Sequence, residues 1–352
     1  MSKRAQQQVD IHTVAKRAQV SIATVSRVIN GSQTVNRSLA ARVNKAVAEL
    51  GYRPNTHART LVSGRSHIVG LIITLITNPF YPELIQSFET LAAQRGYDLL
   101  IASTSDQPDR KLDCLRRMDE RKVDGVAMMT FGADEELLRA LAERGLPVVS
   151  IGSSDIRGVQ PVHVDFGCGI REAVQYLAVL GHRRMAFISG PLRVDNSNAR
   201  RQAFLDGMRQ IGVRVPASYL PEGDHTMESG FKGAEKLLSL PDRPTAILCS
   251  NDMTAIGALH AASDRQLRVP QDVSIVGFDD IHMAQFTVPP LTTVRISSER
   301  IASTALDLLI GSIEHRKAVE QPVIPTQLVV RATTGYAPAP KDRRKSRPRS
   351  GR

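Results

Sequence analysis

Between Ser21 and Gly31 the chain reads SIATVSRVING, and its apolar and hydrogen-bonding residues separate onto two faces of a helix. Val25, Val28 and Ile29 form the apolar face, while Ile22, Ala23, Thr24, Ser26, Arg27 and Asn30 point away from it. A guanidinium such as that of Arg27 donates two parallel hydrogen bonds, a match for guanine O6 and N7 or for a phosphate. The short hydroxyl and amide groups of Ser21, Thr24, Ser26 and Asn30 suit phosphate oxygens. This spacing offers recognition of a duplex and makes no bonds.

The elements that must hold this face are legible around it. Upstream, Ile11, Val14, Ala15 and Ala18 recur at helical spacing behind Asp10, a residue type that caps helix starts. The tight turn Gln19-Val20-Ser21 then joins two short helices, a helix-turn-helix whose second member fits a major groove. Asn36 caps a third helix with Leu39, Val43, Val47 and Leu50 on one side, and Gly51 stops it.

Charge supports a polyanion partner for this end of the chain. Of a net +11 over 352 residues, residues 1–65 carry +9 and residues 338–352 carry +6, leaving the stretch between them at −4. A merely solubilising basic surface is the competing explanation. The 338–352 segment has no apolar periodicity and is expected to be a disordered basic tail.

From His67 onward, short β-branched runs alternate with helical periods. Strands are expected at 68–75, 97–103, 123–129, 147–151, 185–189, 246–250 and 273–276. Helices are expected at 82–95, 110–121, 134–143, 169–180, 196–211, 227–238 and 254–265. Alternation of this kind makes doubly wound parallel sheets, and two consecutive sets imply two similar subdomains with a cleft between them. The expected fold class is therefore α/β, a three-helix head followed by a two-lobed body.

Several chemistries are excluded. The three cysteines, Cys114, Cys168 and Cys249, lie far apart without CxxC spacing, so disulfides, a metal site and a cofactor are not expected. The start is polar and basic without an apolar signal core, and no stretch approaches about eighteen apolar residues, so a cytoplasmic chain away from membranes is expected. GxGxxG at a first strand–helix junction, GxxxxGK[ST], GxSxG and HExxH are all missing, which argues against a cleft enzyme.

Residues Val14–Asn30 (VAKRAQVSIATVSRVIN) and Glu49–Asn55 (ELGYRPN) resemble the head of the lactose-repressor (LacI/GalR) family of bacterial transcription regulators. The body is similar too, through NPFY (Asn78–Tyr81), GHRRMAFISGP, SNDMTAIGAL, VPQDVSIVGFDD and PPLTTV, so the resemblance covers about residues 9–336. It implies a repressor, not an enzyme, that binds a near-palindromic operator as a homodimer and is switched by a small effector, a sugar or sugar derivative. A sugar-transport binding protein, which shares the body, would lack the head.

The resemblance also implies roles for residues. Tyr52 and Asn55 would contact phosphates, and Ile22 and Ala23 would face the bases without hydrogen-bonding groups. Residues 55–65 would form a hinge helix and linker in which Ala58, Arg59 and Leu61 meet the minor groove, Leu61 as a wedge. The divisions implied are a head at 1–54, a body at 66–337, and subdomains of 66–164 plus 295–322 and 165–294 plus 323–337. In the cleft, Asn78, Phe80, Asn196, Arg200, His225, Asn251 and Asp279 align with family effector contacts. Helix capping is the competing role for Asn251 and Asp279, and His225 could be a satisfied histidine. Purine-regulating members have arginine and phenylalanine where this chain has Val194 and His225, which favours a sugar or sugar derivative over a nucleoside-like effector.

Overall fold

The structure, a computed structural model, describes residues 9–29, 35–52, 65–105, 107–130, 135–152, 156–316 and 323–339. Most of the expected hinge and basic tail lies outside these residues. Contacts divide the chain into two compact units, Met1–Ser66 and His67–Arg352.

The first unit holds α1 (Ile11–Ala18), α2 (Ile22–Ile29) and α3 (Arg37–Leu50). The caps are those the residue types favour. Asp10 accepts from the Thr13 amide at 2.8 Å and Asn36 from the Ser38 amide at 2.9 Å, while Gly51 ends α3 in the left-handed region. Val14, Ala15, Ala18, Val25, Val43 and Ala46 close a small core. Arg42 on α3 reaches the last carbonyls of α1, donating to Ala18 O at 2.6 Å and Gln19 O at 2.8 Å. A cation there satisfies orphan acceptors and fixes the angle at which α2 is presented.

In the second unit the first sheet has the order β2-β1-β3-β4-β5, from β1 (Ile68–Ile73), β2 (Asp98–Ser103), β3 (Gly125–Met129), β4 (Val148–Ile151) and β5 (Val159–Val162). All its pairings are parallel. The helices α4 (Phe80–Gln94), α5 (Pro108–Glu120) and α6 (Glu135–Glu143) connect its strands. The chain then passes through β6 (Val164–Asp165) and α7 (Phe166–Val179) into a second sheet. That sheet has β7 (Met185–Ile188), β8 (Ala246–Cys249), β9 (Ser274–Asp279) and β10 (Thr292–Arg295) in parallel, served by α8 (Asp195–Gln210), α9 (Met227–Leu238) and α10 (Asp252–Asp264).

After β10 the chain returns to the first sheet as α11 (Ser298–Ile313) and comes back through β11 (Ile324–Pro325) to β12 (Gln327–Val329), antiparallel on β10. Three passages therefore join the two halves, and two of them pair with each other, Val164 beside Ile324. The alternating strands and helices expected from the sequence are present as a mixed α/β body with parallel sheets. β5, β10, α11 and β12 were not anticipated as elements. α11 buries Ile301, Ala302, Ala305, Leu306, Leu308, Leu309, Ile310 and Ile313, too broad a face for a simple amphipathic period.

Parallel strands place their carboxyl ends together, and ligands bind in the crevice outside them. Among the described residues no helix is long and apolar enough to cross a membrane.

Candidate functional site

Two surfaces gather the expected site residues. On α2, Val25 is buried and Val28 and Ile29 are half-buried, so the helix is anchored on one side. Ile22, Ala23 and Arg27 are exposed on the other, with Thr24 and Ser26 at its edges. Ser21 caps the helix by accepting from the Thr24 amide at 3.1 Å, and its hydroxyl also meets the Thr24 hydroxyl at 2.9 Å. These two hydroxyls hold the helix start as well as facing out. Tyr52 is half-buried against the head core. Asn30, Asn55, Ala58, Arg59 and Leu61 lie outside the described residues.

The second surface is the cleft. Asn78, Phe80, Asn196, Arg200, His225, Asn251 and Asp279 all line one cavity of about 30 Å³, room for one or two waters. Tyr81, Met129, Thr130, Val194, Ser197 and Ile296 complete its wall. The family resemblance points to the Val194 position, whereas sequence patterns give no sign of Tyr81, Met129, Thr130, Ser197 and Ile296 as site residues, because apolar wall residues look like core and Ser197 looks like part of a helix start. The cavity is far smaller than a monosaccharide, so the two halves are closed on each other and must part to admit one.

α8 positions Arg200. Ser197, Arg200, Ala203, Phe204, Gly207 and Met208 form its buried face at spacings of three and four. The guanidinium lies over the Phe278 ring at 3.9 Å and near Phe166 at 5.1 Å, and it donates to Ser250 O at 2.7 Å. Its Nε is buried and has no hydrogen-bond partner among the described residues. Asp279 ends β9 with φ +112, an unusual backbone for a residue with a side chain. Asp280, next in line, is gripped by Arg295 and Arg331, each at 2.6 Å, which holds this turn in place.

Arg200 and Asp279 are each 8% exposed, and among the described residues no hydrogen bond or close ion pair joins them, although each feels the other's charge. Burial pushes the Asp279 carboxyl up to about 7, with Glu83 adding to the push and Arg200 opposing it. Burial also lowers Arg200 from its usual value, with Asp279 opposing. A buried donor and a buried acceptor of opposite charge, both facing a cavity, form a polar pocket.

The other candidates divide. Asn251 accepts from the Thr254 amide at 2.9 Å and donates to His225 O at 3.0 Å, so it caps α10 while lining the cavity. Asn78 turns its Oδ1 to the Phe80 amide at 3.1 Å, ordering the NPFY turn. Asn196 sits in the first turn of α8. His225 is the densest junction. Its Nε2 meets the Ser197 hydroxyl at 2.9 Å and its Nδ1 the Ser250 hydroxyl at 3.2 Å. Both ring nitrogens are engaged by the protein, and the same Ser250 receives Arg200. His225 therefore braces the Ser250 that receives Arg200 and has both ring nitrogens committed to the protein. A Cβ at Gly190 would overlap this ring, so only glycine leaves it room.

Burial, helped by Arg200, pulls the His225 ring down to about 3, so it is neutral in the folded chain. Unfolded, it titrates near the ordinary value of about 6.5. The neutral ring thus contributes stability in full above about pH 6.5, and that contribution is lost as pH falls toward about 3 at up to about 1.4 kcal/mol per unit. Urea unfolding between pH 7.5 and 4.5 is expected to show this extra loss in the natural chain and not in His225→Gln. Equal slopes in the two proteins would disprove the neutral, buried ring.

A three-helix reader of DNA grooves and a two-lobed body with a polar cleft, carried on one chain, define a ligand-responsive DNA-binding regulator. Residues 10–55 match the bacterial regulatory proteins, lacI family, and residues 174–334 match a periplasmic binding protein-like domain. Catabolite control protein A of Priestia megaterium is 37% identical over 303 residues, covering 86% of this chain and 91% of that protein. The ribose operon repressor of Escherichia coli (strain K12) is 34% identical over 304 residues, covering 85% and 92%. The lac repressor dimer bound to operator and an anti-inducer superposes with a TM-score of 0.83 at 27% identity, covering 94% of this chain and 100% of that one. The chain belongs to the lacI family of bacterial regulatory proteins, and it is a DNA-binding transcriptional repressor, not an enzyme.

Proposed function

We propose that this repressor binds a near-palindromic operator as a homodimer, and that an uncharged sugar or sugar derivative held between Arg200 and Asp279 switches its operator affinity. The observation that carries the effector reading is a buried guanidinium and a buried carboxyl that face one cavity with no direct hydrogen bond between them. An effector with vicinal hydroxyls accepts from Arg200 and donates to Asp279 at once. Among the described lining residues Arg200 is the single cation, so a phosphate dianion would lack a second positive partner. Phe80 supplies an aromatic face for a ring. The ribose operon repressor among the relatives agrees with a sugar effector.

The proposed division keeps the head at 1–54, the hinge and linker at 55–65, the two-lobed body at 66–337 and the basic tail at 338–352. The proposed DNA contacts are Arg27, Ile22, Ala23 and their neighbours on α2, with Tyr52 and Asn55 on phosphates and Ala58, Arg59 and Leu61 at the minor groove. A cytoplasmic location goes with this reading.

Calorimetric titration of the full chain with ribose, glucose, cellobiose, glucose 6-phosphate and adenosine tests the effector class. A neutral sugar is expected to bind, and binding of adenosine alone would overturn the sugar reading. Hydroxyls donate better to a carboxylate than to a carboxylic acid. With Asp279 titrating near 7, affinity is expected to rise by about tenfold from pH 6 to pH 8. A flat profile would remove Asp279 from the contact.

A further inference from the structure

A hydrogen bond joins the two halves of the body outside the cavity wall. Glu83, in the first turn of α4 on the first half, accepts from the backbone amide of His282 on the second half at 2.7 Å. The preceding amide, that of Ile281, donates to Asp252 Oδ2 at 2.9 Å. Two successive amides opening the short turn His282–Gln285 are thus received by two carboxylates, one from each half. We propose that Glu83 is the positioning residue that latches the two halves together, by completing from across the cleft a cap that the second half leaves open.

The receiving turn is rigid. Asp252 is fully buried, also takes the Thr293 hydroxyl, and fills the space beside Gly277, where a Cβ would overlap its carboxyl. Asp280, two residues before His282, is clamped by Arg295 and Arg331. Glu83 therefore lands on an amide whose position is already set, and the geometry of closure follows from where α4 holds Glu83. Carboxylate acceptors make the stronger class of hydrogen bond.

Glu83 also sits close enough to Asp279 to disfavour its ionised form. The latch is tested without any ligand.

The test measures the distance between spin labels on the two halves, at Glu136→Cys and Lys236→Cys, in a full-length chain carrying Cys168→Ser. Cys114 and Cys249 are buried and remain. Dilution with unlabelled chain keeps the measured distance within one protomer. Glu83→Ala is expected to lower the closed-to-open ratio by about tenfold, the effect of losing one charge-assisted hydrogen bond. Glu83→Gln keeps an acceptor oxygen and is expected to retain the closed distance. His282→Pro removes the donor from the other side, at a position whose predecessor Ile281 already has the extended backbone proline requires (φ −60, ψ 152). It is expected to open the cleft as far as Glu83→Ala, and the double variant no further. A natural distance distribution in either Glu83→Ala or His282→Pro would overturn the latch. So would equal opening in Glu83→Gln, which would assign the effect to charge instead of the accepted hydrogen bond. If one single variant fails to fold, by its circular dichroism, the other carries the test.

Discussion

Arg27→Ala is expected to weaken binding to the chain's preferred duplex by about 1–3 kcal/mol while changing binding to an unrelated duplex much less. The preferred duplex is first enriched from a random pool by the intact protein, and both affinities are then read by fluorescence anisotropy at one fixed salt concentration, because phosphate contacts make affinity strongly salt-dependent. The size of the effect follows from how few groups on α2 can read bases. Ile22 and Ala23 are exposed yet have no hydrogen-bonding atoms in their side chains. Ser21 and Thr24 already bind each other at the helix start. Arg27 is exposed one turn after Ala23 and engages no carboxylate among the described residues, so its donors are available. An equal loss on both duplexes, with a shallower salt slope, would make Arg27 a phosphate contact. In that case Ile22 and Ala23, packing on thymine methyls, would carry the selectivity.

The head was legible because its signals are local. Asp10, Ser21, Asn36 and Gly51 each act within a few residues of themselves, and the structure places each at the helix end its chemistry favours. The body was legible as alternating strands and helices for the same reason. α11 was not, since its wide apolar face packs on the first sheet although it follows a strand of the second. No local pattern announces such a return. The cleft shows the same division. Asp279 stands out as a charge closing an apolar run, and Arg200 and Val194 are reached through the family resemblance, whereas Met129 and Ile296 are indistinguishable in sequence from core. The role of His225 was hidden for another reason. Its partners Ser197 and Ser250 lie 28 residues before and 25 residues after it, so its saturation becomes visible only when three elements meet.

The second large effect separates binding from stability at one residue. Arg200→Met is expected to lower affinity for the neutral sugar identified by calorimetry by about 2–5 kcal/mol, since it removes a buried charged donor from the pocket. The same change is expected to leave the unliganded body within about 1 kcal/mol of its natural stability, or above it. Two opposing costs set that expectation. The natural chain keeps a cation 8% exposed, with Nε unpartnered, and desolvating such a charge is expensive. The variant loses the bond to Ser250 O and leaves that carbonyl without its donor. Methionine suits the space because it is unbranched and its sulfur packs well against rings, here Phe166 and Phe278. Removing the cation also takes away the one influence that lowers the Asp279 carboxyl, so that group should titrate above its natural value of about 7. A raised folded value adds stability below about pH 4 that is lost as pH climbs to the folded value, so between pH 6 and pH 8 the variant should lose more stability than the natural chain. Urea unfolding at pH 6 and pH 8, beside the titration, reads both quantities. A marked loss of stability with affinity retained would make Arg200 a structural strut and move the ligand contact elsewhere. The opposite pattern fits a residue kept at the expense of stability because the effector needs it.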